Sequence, residues 1–390
     1  MRIFYVATDY PERGMPTTGF PNYLYRVSLA LVQMGHEPVI LSPGRRDSYR
    51  TEQGIDFWTV KIEYKDYGLQ ELNYTMNALR KSYILNRKMS EIIKKQPADI
   101  IQFTSLEGSA MFYRGNIPAV LRLSSYAKTY FSTFQTYSPT TVKIMSFIER
   151  GSARRCNIVF APCRNTARAF GKDCRRKVYV IETPFVNDVH EYDNTYVEEH
   201  LRDKKYVLFF GSLYAEKGIL VIADILEKFL QKNKEYYFVF VGDICDINNE
   251  SSANILKRKA GTAADRVIIW NALPHKQLYP IINKADFVVL PSLMDNLPNA
   301  CIEAMYFQKV VVGTKGASFE QLITHTKNGF LCEIGSSDDL YEKMEMVVSL
   351  SPQEKVQMGI QAKKRINRLK PEIAVERLLH LYEYVVENSK

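Results

Sequence analysis

The chain has 390 residues, of which 46% are hydrophobic and 24% charged, and its formal net charge is +9 at pH 7. Its length exceeds that of one ordinary domain, and its composition excludes a disordered or fibrous protein. The sequence shows neither a signal-peptide layout after Met1 nor the roughly 18 consecutive apolar residues that a membrane-spanning helix needs. Its six cysteines are scattered without the spacing of zinc sites and are expected to be reduced thiols. We therefore expect a cytoplasmic protein of two domains that favours anionic partners.

The first half alternates short apolar runs with helical patterns. Each run has the length of a strand and is apolar on both faces, which is typical of a covered parallel sheet. The helix before Gly35 carries one apolar stripe and ends where a glycine C-cap is expected. The runs are residues 3–8, 38–42, 99–103, 119–123, 157–161 and 177–181.

A polar, acidic segment, residues 186–205, follows and is predicted to be an interdomain linker. Two β/α series joined by such a hinge predict an α/β protein of two doubly wound domains, residues 1–185 and 206–370, facing each other across a cleft. An amphipathic terminal helix, about residues 372–390, is expected to pack back on the first domain. The second series comprises residues 206–210, 236–241, 266–270, 286–290, 310–313 and 330–333.

Two loops of the second half are predicted to bind phosphate groups, because ligands bind such sheets at the carboxyl ends of the strands. In the loop 211–218, Gly211 permits close backbone approach, and Lys217 can place a cation on a diphosphate. Taken alone, this loop is equally typical of a surface turn. Further along, Pro298 precedes a helix-forming run, so a helix is predicted to begin near residues 297–299, where free amides favour a phosphate. The carboxylates of Asp295 and Glu303 flank this anion site and could grip sugar hydroxyls.

These motifs resemble those of the retaining glycosyltransferases of family four, the group 1 glycosyl transferases, which have the GT-B fold of two Rossmann-like domains. Residues 211–218 match that family's Gly-Arg-Leu-x3-Lys-Gly loop. Residues 291–305 are similar to its Pro-Ser-x2-Glu-x7-Glu-Ala signature, in an Asp-Asn-Leu-Pro-Asn variant. The first half fits more loosely, through Thr18-Gly19 and Gly35-His36-Glu37. The resemblance covers nearly the whole chain, most strongly residues 206–334.

The resemblance implies an enzyme that moves a sugar from a nucleotide sugar to a glycan or lipid-linked acceptor with retention, in bacterial surface polysaccharide synthesis. Lys217 would hold the diphosphate, Glu303 the ribose hydroxyls and Asp295 the donor sugar, and these three form the expected catalytic set. Backbone amides of residues 297–299 would bind the phosphates, and Gly19 would close over the donor from the first domain. The implied donor site comprises Gly19, Gly211, Ser212, Lys217, Asp295, Leu297, Pro298, Asn299 and Glu303.

Three positions depart from the family pattern. Ser212 stands where an arginine is usual, which removes one cation from the diphosphate site. Asp295 replaces the more common glutamate. The first domain lacks the histidine that many members place after a strand, and Glu107, Ser124 and Ser125 are candidates for its place.

The acceptor is expected to bind along residues 124–141, where aromatic rings among hydroxyls suit a carbohydrate. The acceptor candidates are Tyr126, Tyr130 and Glu107, although ordinary helix packing explains the same aromatic residues equally well. The sequence offers no convincing Asp-x-Asp element, so neither a metal nor a cofactor is expected.

The basic residues between Arg150 and Lys177 are either a solvated helix face or a contact for an anionic membrane surface or acceptor phosphates. Three other functions stay open. The chain could be a catalytically silent partner subunit that binds a nucleotide sugar or glycan, or a sugar-processing relative such as a phosphorylase or epimerase. Its positive charge also fits a nucleic-acid protein, but no nucleic-acid partner is expected because no recognition motif accompanies the charge.

Overall fold

A computed structural model of the chain describes residues 1–11, 19–134, 138–187 and 189–389, the side chains of residues 130 and 132–134 excepted. The chain forms two compact units. Unit 1 comprises Met1–Val186 and Leu369–Lys390, and unit 2 comprises Asn187–Arg368. Each unit is built around its own sheet.

Unit 1 contains an eight-stranded sheet in the order β3-β4-β2-β1-β5-β6-β7-β8, parallel except for the β3–β4 pair. Its strands are β1 (Arg2–Val6), β2 (Glu37–Gly44), β3 (Ser48–Glu52), β4 (Ile55–Lys61), β5 (Ile100–Thr104), β6 (Ala119–Arg122), β7 (Ile158–Ala161) and β8 (Val178–Val180). Its first helices are α1 (Gly19–Gln33), α2 (Gln70–Lys95), α3 (Ala127–Phe134), α4 (Pro139–Ala153) and α5 (Arg164–Cys174).

Unit 2 contains a six-stranded parallel sheet in the order β13-β10-β9-β14-β15-β16. It also contains a small hairpin whose two antiparallel strands, β11 and β12, have two residues each. Its strands are β9 (Lys205–Phe210), β10 (Tyr236–Val241), β11 (Asp246–Ile247), β12 (Glu250–Ser251), β13 (Val267–Trp270), β14 (Phe287–Leu290), β15 (Val311–Thr314) and β16 (Phe330–Cys332). Its helices are α6 (Thr195–His200), α7 (Ile219–Lys232), α8 (Ser252–Lys259), α9 (His275–Lys284), α10 (Asn299–Tyr306), α11 (Ser337–Ser349) and α12 (Pro352–Ile366). The last helix of the chain, α13 (Pro371–Glu387), belongs to unit 1.

The strand β1 shows why continuous apolar runs form the centre of these sheets. Because successive side chains point to opposite faces, Ile3 and Tyr5 join a core cluster with α1 and α13, whereas Phe4 and Val6 join a second cluster with α2. The hydroxyl of Tyr382 on α13 donates to Oε1 of Gln102 on β5 at 2.5 Å. Both faces of the sheet are therefore covered.

Two segments differ from the sequence-based expectation. The strand β3 was not predicted, because it is polar and exposed at the edge of the sheet and shows no apolar pattern. Its partner β4 was missed as well, although its residues alternate between buried and half-buried. The segment predicted as a linker includes α6, whose Tyr196 packs edge-on against Trp270 of the same unit, with ring centroids 4.9 Å apart. Among the helices within the described ranges, none is long and apolar enough to cross a membrane.

The topology of unit 2 brings two loops together. The strands β9 and β14 are hydrogen-bonded neighbours and run parallel, so their carboxyl ends lie at the same edge of the sheet. Residues 211–218, here called the glycine loop, leave β9, and residues 291–298, the proline loop, leave β14. This edge is where the candidate site lies.

Candidate functional site

The glycine loop and the proline loop contact each other through their backbones. The amide of Leu293 donates to the carbonyl of Glu216 at 2.8 Å. Gly218 has a φ of +80° and lies so close to Pro291 that a Cβ atom would stand 2.0 Å from its carbonyl oxygen. Only glycine combines this conformation with this approach, so Gly218 fixes the position of one loop on the other.

Lys217 and Asp295 meet at the junction of these loops. The Nζ atom of Lys217 lies 2.7 Å from Oδ2 of Asp295, and the side chains are 36% and 17% exposed. The other carboxylate oxygen of Asp295 accepts the amide of Asn296 at 2.9 Å. The structure thus joins two of the predicted site residues in one ion pair, and a bound diphosphate would compete with Asp295 for the ammonium group.

The helix α10 opens directly after the proline loop, at Asn299, within the range predicted from the sequence. Its N-cap residue, Pro298, makes no side-chain hydrogen bond to this end. The first amides of a helix have no carbonyl partner within it and carry the positive end of the helix dipole. Leu297 and Pro298 are buried and Asn299 is exposed; proline has no N–H, so only Leu297 and Asn299 of these three can offer an amide.

The charge of Asp295 acts on the first turn of α10. Cys301 lies in that turn and is fully buried. Burial raises the pKa of its thiol, and the negative charge of Asp295 raises it further. Asp295 itself lies in the loop directly before this helix, where its carboxylate pairs with the ammonium group of Lys217.

Glu303 lies on the second turn of α10 and is 9% exposed. Its Oε1 atom is 3.6 Å from Nε2 of His275, the first residue of α9. The ring of His275 stacks on Tyr279, with centroids 4.8 Å apart and planes at 12°. His275 is not among the residues predicted from the sequence; its place after β13, a strand of the same sheet, is the signal that points to it.

Gly211 and Ser212 begin the glycine loop. The amide of Gly211 donates to Val241 at 3.0 Å, which ties the loop to the end of β10. The hydroxyl of Ser212 donates to Oδ2 of Asp243 at 3.3 Å. At the position where the family pattern has an arginine, the chain therefore has a hydroxyl that faces a carboxylate.

Three further predicted residues lie in unit 1. Gly19 is the first residue of α1, and a Cβ atom at this position would meet none of the described residues within 4 Å. Glu107 has a left-handed φ of 56° and forms an ion pair with Lys81, its Oε2 lying 2.6 Å from Nζ. The hydroxyl of Ser124 accepts from the guanidinium of Arg122 at 2.9 Å. The part that each plays in ligand binding stays a prediction.

The predicted role of Tyr126 as an acceptor platform is wrong for the side chain as it lies here. Tyr126 is only 3% exposed, and its ring packs edge-on against Phe170. Its hydroxyl lies 2.8 Å from both Ser146 and Asp173. The ring therefore has no face for a sugar, and the alternative of ordinary helix packing holds for it. The side chain of Tyr130 lies outside the described residues.

The residue types that commonly bind metal ions are dispersed in the described ranges. In the part of the chain that the structure describes, no three histidine, cysteine, aspartate or glutamate residues gather into a group that could hold a metal ion.

Comparison with family models matches both halves of the chain. The model described as "Glycosyl transferases group 1" matches residues 194–365, and the model described as "Glycosyltransferase Family 4" matches residues 17–185. The alpha-D-kanosaminyltransferase of Streptomyces kanamyceticus is 22% identical over 259 residues, which are 62% of this chain and 65% of that protein. An uncharacterized glycosyltransferase of Haemophilus influenzae is 24% identical over 40% of this chain and 43% of its own length. The chain thus spans less than two thirds of the curated relatives it matches.

Solved structures match the chain along nearly its full length. Sucrose-phosphate synthase from Thermosynechococcus elongatus has a TM-score of 0.74 at 14% identity and covers 99% of both chains. A trehalose-phosphate synthase from Burkholderia multivorans has a TM-score of 0.78 at 11% identity, over 100% of this chain and 97% of the other. A glycosyltransferase from Rickettsia africae has a TM-score of 0.70 at 18% identity, over 99% of both chains. At these identities the likeness shows the fold, and it confirms GT-B.

Proposed function

Because the chain belongs to the group 1 glycosyl transferases, we propose that it moves a sugar from a nucleoside diphosphate sugar to a glycan or lipid-linked acceptor, with retention of anomeric configuration. We place this reaction in bacterial surface polysaccharide synthesis. The observation that carries the proposal is the contact of Lys217 with Asp295 beside the amide end of α10. A cation, free amides and a carboxylate then stand where a diphosphate and its sugar can be held together.

The donor would be held by residues of unit 2. Its diphosphate takes the ammonium group of Lys217 and the first amides of α10, which leaves Asp295 to accept a hydrogen bond from a sugar hydroxyl. Glu303, nearly buried on the next turn, accepts from the ribose hydroxyls, and His275 orients its carboxylate. These roles of Lys217, Asp295 and Glu303 follow the family pattern and agree with the contacts described above.

The transfer step needs positive charge more than it needs a protein base. The bond between the anomeric carbon and the phosphate oxygen breaks, and its electron pair stays on the diphosphate. The acceptor oxygen bonds to the same face of the carbon, and its proton passes to the departing phosphate oxygen. Lys217 and the helix amides stabilise the charge that develops on the leaving group, so the proposal includes no metal ion and no cofactor.

The test begins by finding the donor, because sequence and fold do not name it. A panel of nucleotide sugars is screened for a rise in melting temperature, which a bound donor produces by mass action. With that donor, release of nucleoside diphosphate is measured for Lys217→Ala and Glu303→Ala. Each variant is expected to lose at least ~100-fold in turnover, the size typical of a lost leaving-group contact, while its melting temperature shows that it folds.

The matched control is Lys364→Ala, an exposed lysine on α12 of the same unit. It is expected to keep wild-type turnover. Undiminished turnover in Lys217→Ala or Glu303→Ala would place the donor elsewhere.

One observation favours a second function, that of a catalytically silent partner that binds a nucleotide sugar. Where the family pattern brings a second cation to the diphosphate, the glycine loop has the hydroxyl of Ser212, which faces the carboxylate of Asp243 after β10. The same experiment separates the two functions. A silent subunit would show donor-induced stabilisation without release of nucleoside diphosphate for any acceptor offered.

A further inference from the structure

Unit 2 has a cavity of about 530 Å³ at the opposite edge of its sheet from the candidate donor site. The cavity is lined by the first residue of β9, by Ala285 and Asp286 before β14, and by Lys309 and Val310 before β15. These are the amino ends of the strands, whereas the glycine and proline loops leave the carboxyl ends. Five lysines line the cavity, here called the lysine cavity: Lys204, Lys205, Lys284, Lys309 and Lys355.

One carboxylate of the lysine cavity, that of Asp286, is engaged by other side chains of the protein. Asp286 forms an ion pair with Lys355, with 2.6 Å between Oδ2 and Nζ, and these side chains are only 20% and 14% exposed. The same oxygen accepts the hydroxyl of Tyr236 at 2.5 Å. The other lining carboxylate, Asp203, is exposed at the rim. Five lysines thus line the cavity together with two carboxylates, one of which is fully engaged.

The ammonium groups of three other lysines have partners within the protein. Lys204 donates to the carbonyl of His200 at 2.8 Å, and Lys284 donates to the carbonyl of Arg202. Lys205 lies over the ring of Tyr236, with its Nζ 4.3 Å from the centroid, and its Nζ is 3.9 Å from Oε1 of Glu235. Carbonyls hold Lys204 and Lys284 in place without cancelling their charge, whereas Glu235 partly compensates Lys205 at the exposed surface.

Lys309 differs from the other four lysines. Its ammonium group makes neither a hydrogen bond nor an ion pair to any residue that the structure describes. Burial lowers the pKa of this group, and the negative charge of Asp286 only partly opposes that effect. A half-buried ammonium group without a partner destabilises the folded chain unless something else supplies the counter-charge.

We propose that the lysine cavity binds a small soluble anion with two or more phosphate groups, and that Lys309 provides its innermost contact. Lysine ammonium groups are point charges suited to phosphate oxygens. The volume lies within the range of roughly 300–1,000 Å³ that is usual for small-molecule sites. The excess of ammonium groups over carboxylates matches a multiply charged anion better than a single carboxylate. This site is separate from the donor site and does not depend on the proposed function.

The test uses inorganic pyrophosphate as the probe and hydrogen exchange of the full chain as the readout. Pyrophosphate is expected to protect the backbone amides of residues 284–286 and 308–310. Lys309→Met, which removes the charge and shortens the side chain by one atom, should raise the pyrophosphate concentration needed for this protection at least ~10-fold. Lys364→Met, on the same unit but outside the cavity, should leave it unchanged.

The proposed donor site holds a diphosphate and is therefore expected to bind pyrophosphate as well. A third variant separates the two sites. Lys217→Ala should lose protection of residues 211–218 and 297–301 but keep that of residues 284–286 and 308–310. The inference is overturned if pyrophosphate leaves the lysine cavity unprotected, or if Lys309→Met keeps full protection. Protection by phosphatidylglycerol vesicles but not by pyrophosphate would also overturn it, because the ligand would then be a lipid headgroup.

The melting temperature without ligand gives an independent readout. If Lys309 serves to bind a ligand, Lys309→Met removes a half-buried charge that has no direct partner and should raise the melting temperature in the absence of phosphate. A fall in melting temperature together with unchanged protection would show that Lys309 is a structural residue. If Lys309→Met does not fold, Lys284→Met at the exposed rim replaces it and should weaken the same protection.

Discussion

Polar side chains of this chain differ in how their charges are compensated. Lys217 and Asp295 neutralise each other at the candidate donor site. In unit 1, Glu149 on α4 is only 4% exposed, and its carboxylate accepts a hydrogen bond from the amide of Ala127 at 3.0 Å. Burial is the main cause that raises the pKa of Glu149 from 4.5 to about 8, and that one hydrogen bond only partly offsets it. Glu149 is therefore a pH-dependent weak point of unit 1.

We predict that the stability of unit 1 falls as the pH rises from about 5 to about 9. The folded state binds the proton of Glu149 more tightly than the unfolded state, so its contribution is fully present below pH 4.5 and is lost as the pH passes about 8. A shift of this size corresponds to a few kcal/mol, at about 1.4 kcal/mol per pKa unit. Glu149→Gln keeps an acceptor for Ala127 and should remove this part of the pH dependence.

The measurement uses the two tryptophans of the chain, Trp58 in unit 1 and Trp270 in unit 2. In a Trp270→Phe background, the fluorescence of Trp58 reports the melting of unit 1. If the melting temperature of unit 1 depended on pH in the same way with and without Glu149→Gln, the prediction would be contradicted.

At the residue scale, contacts could be predicted from the sequence where both residues follow strands of the same parallel sheet. Lys217 and Asp295 each follow a strand of one sheet, so their meeting could be inferred from the strand pattern. The burial of Tyr126 could not be inferred, because an aromatic residue among hydroxyls looks the same at a surface and in a core. His275 could not be inferred in the same way, because it is an isolated histidine outside any motif and its contact with Glu303 exists only in the folded chain.

At the scale of elements, the two loops of the candidate site are fixed by backbone contacts. The strand pattern predicted the parallel strands on which these loops depend, because strands covered on both faces are continuous apolar runs. The same rule fails for β3, an exposed edge strand paired antiparallel with β4. The contact between the two loops depends instead on Gly218, which an apolar pattern does not reveal.

Gly218→Ala is predicted to destabilise unit 2 by at least ~2 kcal/mol. The new Cβ atom would overlap the carbonyl of Pro291, and a left-handed alanine costs roughly 1 kcal/mol by itself. Gly19→Ala is the matched comparison, since its Cβ atom would meet no residue of the described ranges within 4 Å and the stability of this variant should change by less than ~0.5 kcal/mol. If Gly19 closes over the donor, Gly19→Ala should nevertheless lose ~10-fold or more in turnover.

Chemical denaturation, followed by Trp270 in a Trp58→Phe background, measures the effect in unit 2. A stable Gly218→Ala protein would show that the two loops are not held as described. Wild-type turnover in Gly19→Ala would remove Gly19 from the site.

At the scale of the whole molecule, the positive charge is unevenly distributed. Between residues 150 and 177, seven basic side chains are exposed, and they are Arg154, Arg155, Arg164, Arg168, Lys172, Arg175 and Lys177. Asp173 does not neutralise them, because its carboxylate binds Lys128 at 2.6 Å and Tyr126 at 2.8 Å. These contacts lower the pKa of Asp173. We propose that this basic face contacts the anionic surface of a membrane.

Sedimentation with phosphatidylglycerol vesicles is expected to carry the protein down at low salt and to fail as salt rises toward ~0.5 M, because screening shortens electrostatic attraction. Phosphatidylcholine vesicles should not bind it. Arg168→Gln with Lys172→Gln should reduce binding several-fold, whereas Lys94→Gln with Lys95→Gln, at the end of α2 in the same unit, should not. Binding that is absent or independent of salt would leave the basic face a solvated surface.

The most direct test of the account is a crystal structure of the chain with its nucleotide sugar bound. The diphosphate is predicted to lie within hydrogen-bonding distance of Nζ of Lys217 and of the first amides of α10, with Glu303 on the ribose and Asp295 on the sugar. A donor bound elsewhere, with Lys217 still paired to Asp295, would contradict the account.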